Sequence, residues 1–433
     1  VVGAPNGVSK HRPFDRWFRY PAGFSESTLC AALEAAGGDR GLLVDCFAGS
    51  GSVGTAVQRE DLAYVGIEAH PMVAELAALK FSCPGSPAHL IDFVADLELS
   101  PGPSGRSPTS QEADLVAKSF TSTTLATLVA LRERIKERWE DPWAPYAKWA
   151  LLGTLRDVAT VNVGWPYQRP SRSRKPPHTD VVKRFRARAQ MMADDLAQHP
   201  TASGSRVVFG DSRKSSTWRA ALGDQQAAAC VTSPPYLNNF DYADATRLEA
   251  YFWGAASTWA ELCRDIRGDM LVATTQQTRR DSASHSADAL KIYPKASTQI
   301  LDVTSKLEVE RLRRPRGKEY DRVVPCYFLG LARVLVSLYD RLADGSRAAW
   351  VVGDSAPYGI YVDTPGLVAC LAEEVGFRTL EDRVVRARGQ KWRTNGTRHQ
   401  VALAERMVVF AKPSGRQISA RASLRCDTVA HRG

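Results

Sequence analysis

The sequence predicts an α/β fold: a doubly wound sheet interrupted by large, mainly helical insertions. Three observations carry this. A short apolar run, Leu42 to Val44, passes directly into glycines at 49, 51 and 54, which reads as strand, tight turn and helix start. A second strand at 63–70 and a helix from Pro71 follow at the spacing of a βαβα unit. Further apolar runs at 205–214, 227–232, 348–355 and 405–413 resume the same alternation.

Taken in order, the first forty residues run from a basic, aromatic start into a helix over Ser27 to Ala36, stopped by Gly37-Gly38. After the first two strands the pattern breaks, and residues 81–205 carry no comparable strand signal. Within them 100–112 is a Ser/Pro/Gly loop, 113–160 is mostly helical, 162–178 is loop-like and 180–198 is helical. The strand at 227–232 halts on Ser-Pro-Pro. A second excursion over 245–330 combines helices with a very basic loop, and then come a helix at 327–343, a strand at 348–355, a helix at 365–375 and a strand at 405–413. The expected organisation is a donor-side part of a catalytic domain at 1–80, a helical insertion at 81–204, catalytic core at 205–244, a basic insertion at 245–326, the rest of the core at 327–413 and a tail at 414–433.

Composition narrows the function classes. Of 433 residues, 44% are hydrophobic and 24% charged, the profile of a globular protein able to build a large core. Lys and Arg number 57 against 47 Asp and Glu, a net charge of +10 that suits a polyanionic partner. No uninterrupted apolar stretch approaches the ~18 residues of a membrane span, and the N-terminus lacks the apolar core of a signal peptide. The eight cysteines are scattered with no CxxC pair, so buried free thiols are expected, and no Cys/His cluster has zinc spacing.

Four strand-end features can carry chemistry, because ligands of open α/β sheets bind beyond the carboxyl ends of the strands. The turn Asp45-Cys46-Phe47-Ala48-Gly49-Ser50-Gly51 lets backbone approach a ligand closely, and it is not a GxxxxGK[ST] phosphate loop. Glu68 closes the second strand, where an acid suits a pair of ribose hydroxyls. Asp211, in Gly-Asp-Ser, closes the third, where it can accept from an amino group. Thr232-Ser233-Pro234-Pro235-Tyr236 is the strongest local signal. Two prolines force an abrupt rigid turn whose carbonyls are left to accept hydrogen bonds. Ser233 adds a hydroxyl and Tyr236 a flat ring, together a clamp for an exocyclic amine on a base.

The combination resembles the S-adenosylmethionine-dependent DNA amino-methyltransferases. In that family an FxGxG turn, here Phe47, Gly49 and Gly51, binds the methionine part of the donor. An S/D/N-PP-Y/F tetrad, here Ser233, Pro234, Pro235 and Tyr236, holds the target amine. The resemblance assigns Glu68 to the donor ribose, Asp211 to its adenine and the segment containing Tyr20, Phe24 and Ser25 to the donor-binding stretch before the glycine loop, with Asp45 in the same group. It implies a Rossmann-like seven-stranded methyltransferase sheet covering about half of the chain. TSPPY resembles the N4-cytosine branch, whereas Asp or Asn at the serine position is commoner in N6-adenine enzymes. The implied activity is site-specific methylation of cytosine N4 in double-stranded DNA with base flipping, in a restriction–modification setting in a prokaryotic cytoplasm. The implied partners are DNA and a cognate endonuclease, with the chain a monomer or dimer. C5-cytosine chemistry needs a cysteine nucleophile, and Cys230 is instead expected to point into the sheet.

Basic runs supply the expected nucleic-acid contacts: Arg172, Arg174 and Lys175, then Arg184, then Arg313, Arg314, Arg316 and Lys318, with a further set at 384–393. Asn238 and Asn239, with Asp241 and Tyr242, follow the tetrad closely enough to line a pocket for the flipped base. Three other readings stay open: adenine or RNA as the substrate, a non-catalytic nucleic-acid-binding protein of the same fold, and a nicotinamide oxidoreductase. The last is disfavoured because the turn departs from GxGxxG.

Overall fold

Among the described residues seven strands form the sheet: β1 (Leu42–Asp45), β2 (Ala63–Glu68), β3 (Arg206–Phe209), β4 (Ala227–Thr232), β5 (Leu342–Gly353), β6 (Arg378–Arg388) and β7 (Leu403–Ala411). The computed structural model describes residues 12–20, 23–38, 41–58, 62–99, 114–163, 180–199, 204–239, 241–277, 282–388 and 401–415. The strand order is β3-β2-β1-β4-β5-β7-β6. The first five are parallel, and β7 runs antiparallel to both β5 and β6. The order reverses between β1 and β4. Their carboxyl ends, Asp45 and Thr232, therefore flank the crevice in which such sheets bind ligands.

The sheet is buried on both faces, and alternate side chains sort between them. Val44, Val65, Cys230, Trp350, Val352, Val408 and Phe410 face one apolar core. Leu43, Tyr64, Ala229, Val231, Val351, Met407 and Val409 face another. The first face is covered by helices Pro294–Leu312, Tyr320–Arg341 and Thr364–Val375. Helix Tyr320–Arg341 is long and apolar enough by composition to cross a membrane. Here it is the central helix of that face, with Val323, Tyr327, Phe328, Leu331, Leu335 and Leu338 fully buried. The second face is covered by helix Glu26–Ala36, with Ser25 as its N-cap and Gly37 in the left-handed region as its stop.

Strand β6 has no counterpart in the sequence reading. It lies at the sheet edge, its side chains are mostly exposed and half of them are charged. Charged edge strands resist pairing with other chains and so lack the apolar alternation by which strands are recognised. The same segment holds the first part of the basic set at 384–393. Arg386 and Arg388 turn toward the carboxyl rim of the sheet, and Trp392 lies outside the described residues.

A third core is entirely helical and joins three distant parts of the chain. It unites Phe14, Trp17, Phe18 and Tyr20 with the helices between 71 and 199 and with residues 243–270. The second half of the later excursion, around Leu290, Ile300 and Leu307, packs instead against the sheet. The N-terminal segment is latched to helix Val181–Gln198 by one buried carboxylate. Asp195 accepts from the Phe14 amide at 2.8 Å, the Trp17 indole at 2.9 Å and Arg16 Nε at 3.2 Å, and it is fully buried. Asp195→Ala would leave two buried N–H donors and a guanidinium unpaired. We expect a loss of about 3–5 kcal/mol, read by urea unfolding, with an early change in Trp17 fluorescence.

Candidate active site

A cavity of about 310 Å³ opens at the carboxyl ends of β1, β2, β3 and β4. Its walls include Tyr20, Phe24, Asp45, Phe47, Gly49, Glu68, Asp211, Ser233, Pro235, Tyr236 and Asn239. The glycine turn and the proline tetrad thus share one space, although they are nearly 190 residues apart in sequence.

The two loops are joined at their roots. Thr232 Oγ1 donates to Asp45 Oδ1 at 2.5 Å, and the Phe47 amide donates to the same carboxylate oxygen at 3.0 Å and to Thr232 Oγ1 at 3.2 Å. Burial pushes the Asp45 carboxyl up to about 6, while the bonds from Thr232 and Phe47 draw it down. Beneath the joint, Cys46 and Cys230 face each other across β1 and β4 with their sulfurs 3.9 Å apart. Cys230 is fully buried and does not line the cavity. Gly51 has φ +83, and a Cβ there would press on Phe81 and Ala77. It sets the bend of the turn without lining the cavity. From behind, the buried Lys80 donates to the Ser50 carbonyl at 2.5 Å, and burial lowers its ammonium to about 8.

Glu68 is held by backbone. Its carboxylate accepts from the amides of Gly49 and His70, each at 2.7 Å. Desolvation outweighs these bonds and raises the carboxyl to about 7. His70 is buried against Thr246 Oγ1 at 2.7 Å, and burial lowers it to about 3, so the ring is neutral. Asp211 accepts from the amide and Nε of Arg213 at 2.9 and 2.8 Å. Arg213 also donates to the Asp269 carbonyl at 3.0 Å. This brings residues 269–271 over the same end of the cavity.

In the tetrad, Ser233 Oγ donates to the Val351 carbonyl at 2.9 Å and lies 3.4 Å from Tyr236 Oη, so with its proton on the carbonyl and the phenol beside it one lone pair is left to accept. The Pro235 carbonyl is taken by Tyr327 Oη at 2.9 Å. Pro234 is buried and does not line the cavity, and no hydrogen bond among the described residues reaches its carbonyl. Tyr236 is buried with its phenol raised by desolvation, and Arg388 lies over its ring, 4.9 Å from the centroid.

Other sequence-assigned residues fall elsewhere. Ser25 caps a helix outside the cavity. Asn238 has φ +54 and its side chain, buried without a partner, does not line the cavity. Asp241 is not in the wall either; it is ion-paired with buried Arg267. Tyr242 is in the wall. Arg313 and Arg314 pair with Glu310, and Arg314 stacks on Tyr358 at 4.2 Å. Tyr358 Oη donates to the Lys318 carbonyl at 3.0 Å, so this basic loop, with exposed Arg316 and Lys318, abuts the segment that follows β5 and is not part of the cavity wall. Arg184 is exposed near the start of helix Val181–Gln198. Arg172, Arg174 and Lys175, with Trp165 and Tyr167, lie outside the described residues. Sequence reasoning missed Arg213, Asp269 and Glu405 as wall residues. Arg386 and Arg388, read only as part of the basic set at 384–393, carry a further legible signal, an Arg-Ala-Arg alternation that puts both cations on one face of a strand. Among the described residues no cluster of three His, Cys, Asp or Glu side chains could hold a metal.

Over 189 residues the chain is 28% identical to Type II methyltransferase M.AvaI of Nostoc sp., and the same figures hold for its Anabaena variabilis counterpart. The match covers 42% of this chain and 38% of those proteins. Type II methyltransferase M.BsoBI of Geobacillus stearothermophilus is 22% identical over 204 residues, covering 44% of this chain and 40% of its own. The chain therefore spans about two fifths of the curated relatives it matches. No protein-family model matches. Among solved structures, the rRNA methyltransferase aviRa of Streptomyces viridochromogenes aligns at 12% identity with a TM-score of 0.29.

Two outcomes follow from the joint and from Glu68. Thr232→Val removes the hydroxyl that links β4 to Asp45, and we expect a loss of about 1–3 kcal/mol in denaturant unfolding. Glu68 holds its proton more tightly folded, at about 7, than its ordinary value of 4.5. Its contribution to stability is therefore full below pH 4.5 and is lost as pH rises through 7, a change on the order of 3 kcal/mol. Unfolding midpoints at pH 5 and pH 8 should differ less in Glu68→Gln than in the parent.

Proposed function

We propose that the chain is an S-adenosylmethionine-dependent DNA methyltransferase acting on the exocyclic N4 amine of cytosine, with the target base flipped out of the duplex. One observation carries the reading most. The Ser233 hydroxyl, donating to Val351 with the Tyr236 phenol 3.4 Å away, keeps a lone pair to accept with, in the cavity that the glycine turn also lines. An amine donates and does not accept through its N–H bonds, so an acceptor pair of Ser233 Oγ and the Pro234 carbonyl suits it. Similarity to Type II methyltransferases over two fifths of their length supports the same class.

The cavity's chemistry fits the donor. A Cβ on Gly49 would project toward Tyr20, ending 3.9 Å from its ring, so the bare turn keeps a cradle between loop and aromatic wall. Glu68 and Asp211 offer carboxylates along the same wall, and Phe24 and Phe47 offer flat apolar surface. When bound, S-adenosylmethionine supplies a methyl group on a sulfonium centre. The residues proposed to hold it are Tyr20, Phe24, Phe47, Gly49, Glu68 and Asp211. Ser233 Oγ and the Pro234 carbonyl are the acceptors for the two amine N–H groups and thereby turn the nitrogen lone pair toward the cavity; the nitrogen keeps both protons until it is methylated, and one then leaves to solvent. Tyr236 supplies the stacking surface. The chemistry is positioning plus stabilisation of charge that develops on nitrogen.

The net charge of +10 and the exposed Arg316 and Lys318, on a loop tied to the segment that follows β5, support DNA as the polyanion. A restriction–modification setting with a partner endonuclease, in a prokaryotic cytoplasm close to the nucleoid, belongs to the same proposal.

Incubation with plasmid DNA and labelled donor, then digestion to nucleosides and mass identification, should yield N4-methylcytosine. N6-methyladenine would overturn the cytosine assignment, and transfer to RNA alone would overturn DNA. Tyr236→Ala removes stacking worth about 1–3 kcal/mol, so transfer should fall while donor affinity holds. Donor hydroxyls on Glu68 favour its ionised form, so binding near pH 7 should release a proton. Calorimetry in two buffers of different ionisation enthalpy measures that release, and an identical heat in both would remove Glu68 from the donor site.

A further inference from the structure

We propose that Arg388 reads the target base and makes the pocket selective for cytosine over adenine; this rests on the reading that the tetrad holds the target amine. Arg388 ends β6 and is held by three separate elements. Nη1 donates to the Asp354 carbonyl at 2.9 Å, Nη2 donates to Asn239 Oδ1 at 3.3 Å, and Nε lies 3.8 Å from the buried Glu405 carboxylate. Glu405 is itself anchored by Arg386, which stands two residues back on the same face of β6 and donates from Nη2 at 2.5 Å. Gly353 makes room for this arrangement, because a Cβ there would overlap Arg388 and approach Tyr236 Cδ2 to 2.8 Å.

The guanidinium carbon lies on the face side of the Tyr236 ring. At the ~3.5 Å height of close carbon contact, its distance of 4.9 Å from the ring centre corresponds to a place toward the ring's rim. A base stacked on that face of Tyr236 lies in the same layer and meets the guanidinium edge-on. With the exocyclic amine fixed on Ser233 and Pro234, the rest of the base's pairing edge turns to Arg388. Cytosine presents two adjacent acceptors there, N3 and O2, which match two N–H groups of a planar fork. Adenine presents N1 and then a C2–H, so one donor is left facing carbon. The two hydrogen bonds that hold Arg388 use two of its five N–H groups and Nε faces Glu405; the second N–H of Nη1 and of Nη2, with no other hydrogen bond among the described residues, are the two proposed to meet the base.

The test uses the full chain with donor and plasmid DNA, comparing the parent with Arg388→Ala and Arg388→Lys. Donor affinity and thermal midpoint are measured alongside, to separate loss of reading from loss of fold. We expect N4-methylcytosine from the parent and a fall of roughly 10- to 100-fold in kcat/KM for DNA in Arg388→Ala, with donor affinity within about twofold. Arg388→Lys keeps the charge without the planar fork and should recover only a small part of the loss. A parent that methylates adenine N6, or an Arg388→Ala variant that methylates cytosine at the parental rate, overturns the Arg388 assignment and leaves the methyltransferase reading standing. A parent that binds donor but transfers to no nucleic acid overturns that reading and this assignment with it.

Discussion

The cavity depends on one buried hydrogen-bonded joint, the Asp45 carboxylate shared by Thr232 and the Phe47 amide. Asp45 ends β1 and Thr232 ends β4, the adjacent strands between which the sheet order reverses. At such a reversal the loops leave in opposite directions and a crevice opens between them. The joint sets how far those loops stand apart at their roots. Because it is enclosed, neither partner can be removed without stranding a polar group away from water. The glycine turn and the tetrad then diverge from a common origin to opposite walls of one space.

Around that joint the pocket is completed by elements that sheet topology alone does not bring in. The N-terminal aromatic segment reaches it because Asp195 gathers Phe14, Arg16 and Trp17 onto helix Val181–Gln198. Tyr20 is thereby delivered opposite Gly49. From the other side the β6–β7 pair contributes Arg386, Arg388 and Glu405, and from below Asp269 is drawn in by Arg213 and Lys214. Burial is the shared electrostatic condition. It raises Asp45 and Glu68, lowers His70 and leaves that ring neutral. The site thus holds carboxyls whose charge is sensitive to a bound cation.

Much of the sheet was legible because six of its strands are apolar runs ending in turn chemistry. The glycine turn, Glu68, Asp211 and the tetrad were legible because each stands at a strand's carboxyl end. Strand β6 was not, since an edge strand rich in charge lacks the pattern. The basic runs were legible only as charge. Arg313 and Arg314 turn out to be paired with Glu310, and Arg386 and Arg388 face the cavity. A linear run of cations cannot say which of them meet carboxylates, because those partners lie on other turns or other strands.

The sequence by itself determined the sheet class and the strand-end residues, since local periodicity and turn residues depend only on near neighbours. The tertiary structure alone decided that Ser233 spends its proton on Val351, that Asp45 and Thr232 share one bond, and that an arginine from the far edge of the sheet lies on Tyr236. Those are contacts between residues from about 120 to 190 positions apart. Their distances are set by how strands are ordered and packed, which no local pattern encodes.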